Sequence, residues 1–411
     1  MKRLVAVACL SLAACGQAAG SPPSSSSSQP LPSASSTPGA SSPTRELLFA
    51  AGLGELCGLN CATTVGIVGL DGRVRAQARF VPPVAPAIGC EGSLVTNPVQ
   101  VAAGSVYYLD STSALHRLRP SGDNHVVARF PILTSQQATW FAMSPDGTKV
   151  IASVAAWPPL VSPTTDPSQG CPEHVPGDVR EELVLATVGG STTTIWAKTL
   201  SGGLKGPPPN LLAVAGWDAS GPVATTDTRL AYIGYVEGTV WLGPAARLDM
   251  RGQVGSTIGG PDCDPAFGDL PDGRLVCYDP KHPTVRDANG RILWSLKQLD
   301  PNDTFTYGDI ALSPDGSRVA FNLNSSCCFV FDSSVIRSRD GVRIGLGTTF
   351  QPQGWLDTAT IIGQKGIVRA TCSGCPPSFV PDDLALIRVT NPTNVIDLGF
   401  KGSFLGLVQG S

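Results

Sequence analysis

Cysteine is the residue type with the most chemistry to offer in this chain. Twelve occur in 411 residues. Setting aside Cys9 and Cys15 near the start, ten remain: Cys57, Cys61, Cys90, Cys171, Cys263, Cys277, Cys327, Cys328, Cys372 and Cys375. In an exported chain an even count reads as disulfides. Cys263 with Cys277, Cys57 or Cys61 with Cys90, and the cysteines near 327 with those near 372 are the candidate pairs. Cys372-Ser373-Gly374-Cys375 and the Cys57/Cys61 pair also have the spacing of zinc ligands. Only four His accompany them, none beside either pair, so disulfides are the expectation and no metal is expected there. A redox role for Cys372 and Cys375 would need a thioredoxin-like βαβ context that the surrounding residues do not supply.

A second candidate is the stretch from Ala156 to Glu182, which holds Trp157, Asp166, Cys171, Glu173, His174 and Asp178 among several prolines. Its composition predicts the longest connection in the chain, and long loops on a rigid scaffold are where binding residues concentrate. The third is Asp262-Cys263-Asp264 with Asp269, an oxygen-rich run of a kind that can hold Ca²⁺, although aspartates beside Pro and Gly more often serve turns. Arg229 to Leu242, with Tyr232, Tyr235 and Trp241, alternates like an extra hairpin. His116, His125 and His282 fall on or beside predicted strands and read as surface or hydrogen-bonded histidines. No Gly-x-Ser-x-Gly elbow, Walker loop, HExxH pair or strand-following GxGxxG is present, so catalysis has no motif to rest on.

The elements that position these residues follow from composition. Gly and Pro number 46 and 36, aromatics make up 6% and charged residues 15%, with 29 Lys plus Arg against 32 Asp plus Glu. Such a balance predicts many turns rather than long helices and gives no electrostatic footprint for nucleic acid. Lys2 and Arg3 precede an apolar run, Leu4 to Ala14, that suits an export signal and is too short to span a bilayer. The run ends Leu12-Ala13-Ala14-Cys15-Gly16, which resembles the lipobox of bacterial lipoproteins. That resemblance implies a signal peptide over 1–14, a diacylglycerol on the Cys15 thiol, and anchoring on the extracytoplasmic side of a bacterial membrane. Residues 15–44 are rich in Ser, Pro, Ala and Thr, cannot bury a core, and read as a tether.

Residues 45–411 carry a repeat. Ser144-Pro145-Asp146-Gly147-Thr148-Lys149-Val150 recurs as Ser313-Pro314-Asp315-Gly316-Ser317-Arg318-Val319 and more loosely as Leu270-Pro271-Asp272-Gly273-Arg274-Leu275-Val276. Each places a tight turn between an apolar stretch and a β-branched run, the signature of a hairpin. Gly216-Trp217-Asp218 and Gly354-Trp355-Leu356-Asp357 open similar hairpins. The repeat resembles the TolB-type, WD-repeat-like β-propellers, and the resemblance implies an all-β fold of about seven four-stranded blades.

On that plan blade 3 runs Thr139 to Leu200, blade 5 Ala266 to Leu299, blade 6 Tyr307 to Phe350 and blade 7 Gln353 to Phe400. Blade 1 has Leu47 to Ala50, Val65 to Leu70 and Val74 to Phe80 but no inner strand, and Ser403 to Val408 is the candidate to supply it and close the ring. The ten cysteines then cluster on one rim, where their bridges would order long loops. The function expected is a binding or scaffolding platform for an envelope protein, without cofactor. The alternative is a propeller that binds or hydrolyses a saccharide or other small ligand at the channel mouth.

Overall fold

A computed structural model describes residues 46–54, 63–84, 96, 98–159, 177–201, 211–225, 245–260, 263–266, 274–278, 283–296, 305–325, 330–370 and 377–408. The regular elements among them are strands. The first three are β1 (Leu48–Leu53), β2 (Thr63–Gly69) and β3 (Val74–Phe80). Then come β4 (Val99–Ala102), β5 (Ser105–Leu109), β6 (Ala114–Leu118) and β7 (Asn124–Arg129). β8 (Gln137–Met143), β9 (Lys149–Ala156), β10 (Val179–Thr187) and β11 (Thr192–Leu200) follow. Next are β12 (Ala213–Asp218), β13 (Gly221–Thr225), β14 (Ala245–Leu248) and β15 (Val254–Thr257). β16 (Asp264–Ala266), β17 (Leu275–Tyr278), β18 (Thr284–Arg286) and β19 (Ile292–Ser295) are shorter. The chain continues through β20 (Phe305–Leu312), β21 (Arg318–Ser325), β22 (Val330–Ser338) and β23 (Arg343–Gly347). It ends with β24 (Phe350–Trp355), β25 (Thr360–Ala370), β26 (Pro377–Arg388) and β27 (Asn391–Val408).

Strands β4–β7, β8–β11, β12–β15, β16–β19 and β20–β23 each form a four-stranded antiparallel meander, the blade of a β-propeller. A sixth sheet runs β24-β25-β26-β27-β1-β2-β3. Its continuity comes from β27, which changes partner along its length. Asp383 on β26 pairs with Lys401, whereas Gly402 pairs with Leu53 and Val408 with Leu48 of β1. The C-terminal segment thus lies in the sheet position beside β1 that the first three strands leave open.

The turns explain why the repeat reads as it does. In Ser144-Pro145-Asp146-Gly147 the Ser144 hydroxyl accepts the Lys149 amide at 2.9 Å, and the Asp146 carboxylate accepts the Thr148 amide at 3.0 Å. Gly147 takes a φ of 68°, which glycine adopts without steric cost. Ser313, Asp315 and Gly316 repeat the arrangement, with Arg318 N donating to Ser313 Oγ at 2.9 Å and Gly316 at φ 69°.

Side chains leave each meander through both faces, and the described residues form seven apolar clusters, each shared by two successive groups of strands. β1–β3 meet β4–β7 through Ile67, Val106 and Leu118. β4–β7 meet β8–β11 through Leu115, Phe141 and Val150, and β8–β11 meet β12–β15 through Trp140, Leu183 and Val214. Ala215, Val223 and Leu275 join the next pair, Val285 and Phe321 the one after, and Ile336, Phe350 and Ile361 the sixth. In the seventh, Ile362 and Leu384 pack against Phe49 and Val68 of the first group.

Polar side chains fasten these seams by reaching backbone groups of the neighbouring blade. Gln100 on β4 accepts the Met143 amide of β8 at 3.1 Å and donates to the Phe141 carbonyl. Ser153 Oγ on β9 accepts the Val214 amide of β12 at 3.2 Å. Arg274 and Trp294 both grip the turn between β20 and β21, through Pro314 O at 2.8 Å and Gly316 O at 2.9 Å. Trp355 Nε1 donates to Ala311 O at 3.0 Å, and Gln364 Nε2 to Gly402 O at 2.9 Å. Each bond gives a backbone group at the seam a side-chain partner, and stripping a buried group of its partner costs about 1–3 kcal/mol.

Candidate functional site

An antiparallel meander sends alternate connections to opposite ends of the sheet. One end of the propeller therefore gathers the links from first to second and from third to fourth strand of each blade, which are tight turns such as 144–147, 287–290 and 313–316. The other end gathers the remaining links, and the long stretch between β9 and β10 is among them.

Of the residues singled out in that stretch, Asp166, Glu173 and His174 lie outside the described residues. Asp178 is described and exposed. Trp157 is placed differently from the expectation that it offers a binding surface. It is 1% exposed, sits in the apolar seam with Trp140, Val179 and Leu211, and its amide bonds to Gln136 O at 2.8 Å. An indole next to two prolines reads as a loop residue, but the burial of that large apolar area in the seam wins.

Beside it is a group that sequence reasoning did not single out. Glu181 on β10 is completely buried in the same seam, on the face that carries Val179 and Leu183. Its carboxylate accepts the Leu212 amide at 2.8 Å, at the approach to β12. Its other oxygen is 3.2 Å from Lys198 Nζ, an ion pair without hydrogen-bond geometry, and the ammonium lies 4.6 Å over the Trp196 ring. Burial pushes the Glu181 carboxyl up to about 7, against the opposing pull of Lys198 and the Leu212 amide. The signal in sequence is a charge at an inward position of the alternating run Val179, Glu181, Leu183. A carboxyl with no solvent-accessible surface cannot reach a substrate, and its chemistry is that of a clamp holding β12 to β10.

At the same end, Asp110 and His116 pair at 2.8 Å in the β5–β6 hairpin, and the His116 ring stacks on Tyr108 with centroids 4.8 Å apart. Burial raises the Asp110 carboxyl, but His116, Thr112 and two backbone amides outweigh it and hold it below the usual carboxylate range. His116 is thus a hydrogen-bonded histidine. His125 pairs with Asp123 at 3.1 Å on the exposed surface; His282 lies outside the described residues.

Cys263 and Cys277 are joined by a disulfide. Both are buried in the seam between β12–β15 and β16–β19, so this bridge does not order an exposed loop as the rim assignment implied. It ties the lead into β16 to β17, inside the core. Cys15, Cys57, Cys61, Cys90, Cys171, Cys327, Cys328, Cys372 and Cys375 lie outside the described residues, as do Asp262 and Asp269; Asp264 begins β16. Among the described residues no group of three His, Cys, Asp or Glu side chains is arranged to hold a metal ion, and no helix is long and apolar enough to cross a membrane.

No family model and no curated protein matches the chain. Solved structures similar to it include the oligogalacturonate lyase of Vibrio parahaemolyticus, at 10% identity and a TM-score of 0.44, over 82% of this chain and 91% of that one. TolB from Acinetobacter baumannii is 15% identical over 89% of this chain and 65% of its own, with a TM-score of 0.31. A putative TolB from Agrobacterium tumefaciens is 13% identical over 89% and 91%, with a TM-score of 0.31. These are likenesses of fold. The strand pairing and shared seams described above are those of a β-propeller.

Proposed function

We propose that the chain is an exported bacterial lipoprotein, anchored through a diacylglycerol on Cys15, whose propeller is a binding platform for a protein of the cell envelope. The platform is a seven-bladed ring closed by residues 402–408. The seven seams support this reading, since they link the strand groups in a cycle, and so does the change of partner along β27.

One observation carries the platform reading. The longest connection leaves β9 at Trp157 and rejoins the sheet at Val179, and both residues are fully buried in one seam that Glu181 clamps. A binding loop mounted on a rigid base loses little conformational freedom when it engages a partner. Asp166, Glu173, His174 and Asp178 are the side chains proposed to make the contact.

Affinity purification of the tagged, full-length protein from gently solubilised envelopes tests this. The expected result is one stoichiometric protein partner, lost when Asp166, Glu173 and Asp178 are replaced together by Ala while the melting temperature is unchanged. Retention of the partner by that variant would move the interface elsewhere. A solitary protein whose melting temperature rises with added oligosaccharides would replace this reading with a small-ligand one.

A further inference from the structure

The end of the propeller opposite the long connection has a surface of its own. Four hairpins there, between third and fourth strands, share one design. Asp71, Asp249, Asp287 and Asp340 each accept a backbone amide two residues on, at 3.0, 2.8, 3.0 and 3.3 Å. An Asx turn of this kind occupies the carboxylate locally. Beside each stands an arginine: Arg73, Arg251, Arg291 and Arg339. Arg73 and Arg291 lie 3.7 and 3.1 Å from Asp71 and Asp287, yet their side chains remain 81% and 77% exposed.

The same four tips carry Leu70, Val74, Met250, Val254, Ile292 and Val342, six of the twelve large apolar side chains exposed among the described residues. They are spaced one or two to a hairpin. A protein partner selects a contiguous apolar patch that can be closed off from water. Scattered aliphatic tips flanked by exposed guanidinium groups suit a flat, fluid partner with an apolar interior and phosphate at its surface, since arginine stems lie along apolar material while their heads stay at the phosphates.

The chain itself favours that partner. Glu46, the first described residue, is held at this end: Arg75 Nε donates to its carboxylate at 3.0 Å, and Arg75 also bonds Asp71 at 3.0 Å on the neighbouring tip. The chain therefore enters the propeller at the end where the apolar and arginine tips are.

We propose that this end docks on the surface of the anchoring bilayer, with the aliphatic tips in the headgroup region and Arg73, Arg251, Arg291 and Arg339 at lipid phosphates. The opposite end then faces away from the membrane. The proposal takes its orientation from the lipoprotein reading, and the experiment separates the two. The exported chain, with Cys15→Ser behind a polyhistidine tag, is held by nickel-chelating lipid on vesicles of phosphatidylethanolamine and phosphatidylglycerol, so that docking is tested whether or not Cys15 is lipidated.

Amide hydrogen exchange is compared with the same chain free in buffer. The expected result is exchange slowed about fivefold at the tips near 70–74, 249–254, 287–292 and 339–342, with the 110–114 turn at the far end unchanged. The combined variant Val74→Asp, Val254→Asp, Ile292→Asp should remain tethered and lose the protection. Equal exchange at the tips on vesicles and in buffer would overturn the proposal, as would slowing at the far end instead. The lipoprotein reading stands or falls separately, on the intact mass of the native chain at Cys15.

Discussion

The seam between β8–β11 and β12–β15 and the turns at the end of the propeller use the same kinds of side chain for opposite purposes. In the seam, Glu181 and Ser153 are fully buried and turn their oxygens to amides of the next blade. At the turns, Asp146 and Asp249 accept amides only two residues away and face water. Burial pushes Glu181 up to about 7, while the Ser144 hydroxyl and the Thr148 amide and hydroxyl hold Asp146 down to about 2. Glu181 fastens two blades because its position points into a seam, and Asp146 and Asp249 shape turns because theirs face water.

The contrast can be broken by substitution, beginning where burial is greatest. Trp157→Ala should cost about 3–5 kcal/mol in denaturant unfolding, as removal of a buried core indole does, whereas a loop residue would cost nearly nothing. Replacing Cys263 and Cys277 by Ser should cost roughly 3 kcal/mol, the scale for a loop of this length, measured the same way under non-reducing conditions.

Glu181 sharpens the comparison through pH. Its folded value is raised above the ordinary value of 4.5, so the fold favours the protonated form. That contribution is full below about 4.5, declines as pH rises towards about 7, and is lost above it, a span of roughly 3 kcal/mol. Glu181→Gln should flatten the decline and keep the bond from the Leu212 amide. A slope unchanged in the variant would mean that another group is responsible. The smallest effect belongs to the surface of the turns: Val254→Asp should leave stability within about 0.5 kcal/mol.

Much of the fold was legible because its determinants are local. The Ser-Pro-Asp-Gly hairpins are specified by four consecutive residues, and β3 and β11 end at Phe80 and Leu200, where the blade plan places them. The strand beside β1 could be assigned to Ser403–Val408 because an apolar run with no partner of its own remained. Trp157 and Glu181 were not legible, since which seam a side chain enters depends on residues far along the chain, as between Ser153 and Val214. The burial of Cys263 and Cys277 has the same cause. Sequence offers the pair as a candidate; only packing puts it in the core.

The central claim, that polar side chains at the seams fasten one blade to the next, is tested most directly by amide exchange at Met143, Leu212, Val214 and Phe404, whose N–H groups are held by Gln100, Glu181, Ser153 and Gln353 of neighbouring strand groups. If the seams are fastened, all four amides exchange only through global unfolding, at one shared free energy. Exchange as fast as at the exposed turns, or at four unrelated rates, would show that the blades part individually and that these bonds do not fasten them to one another.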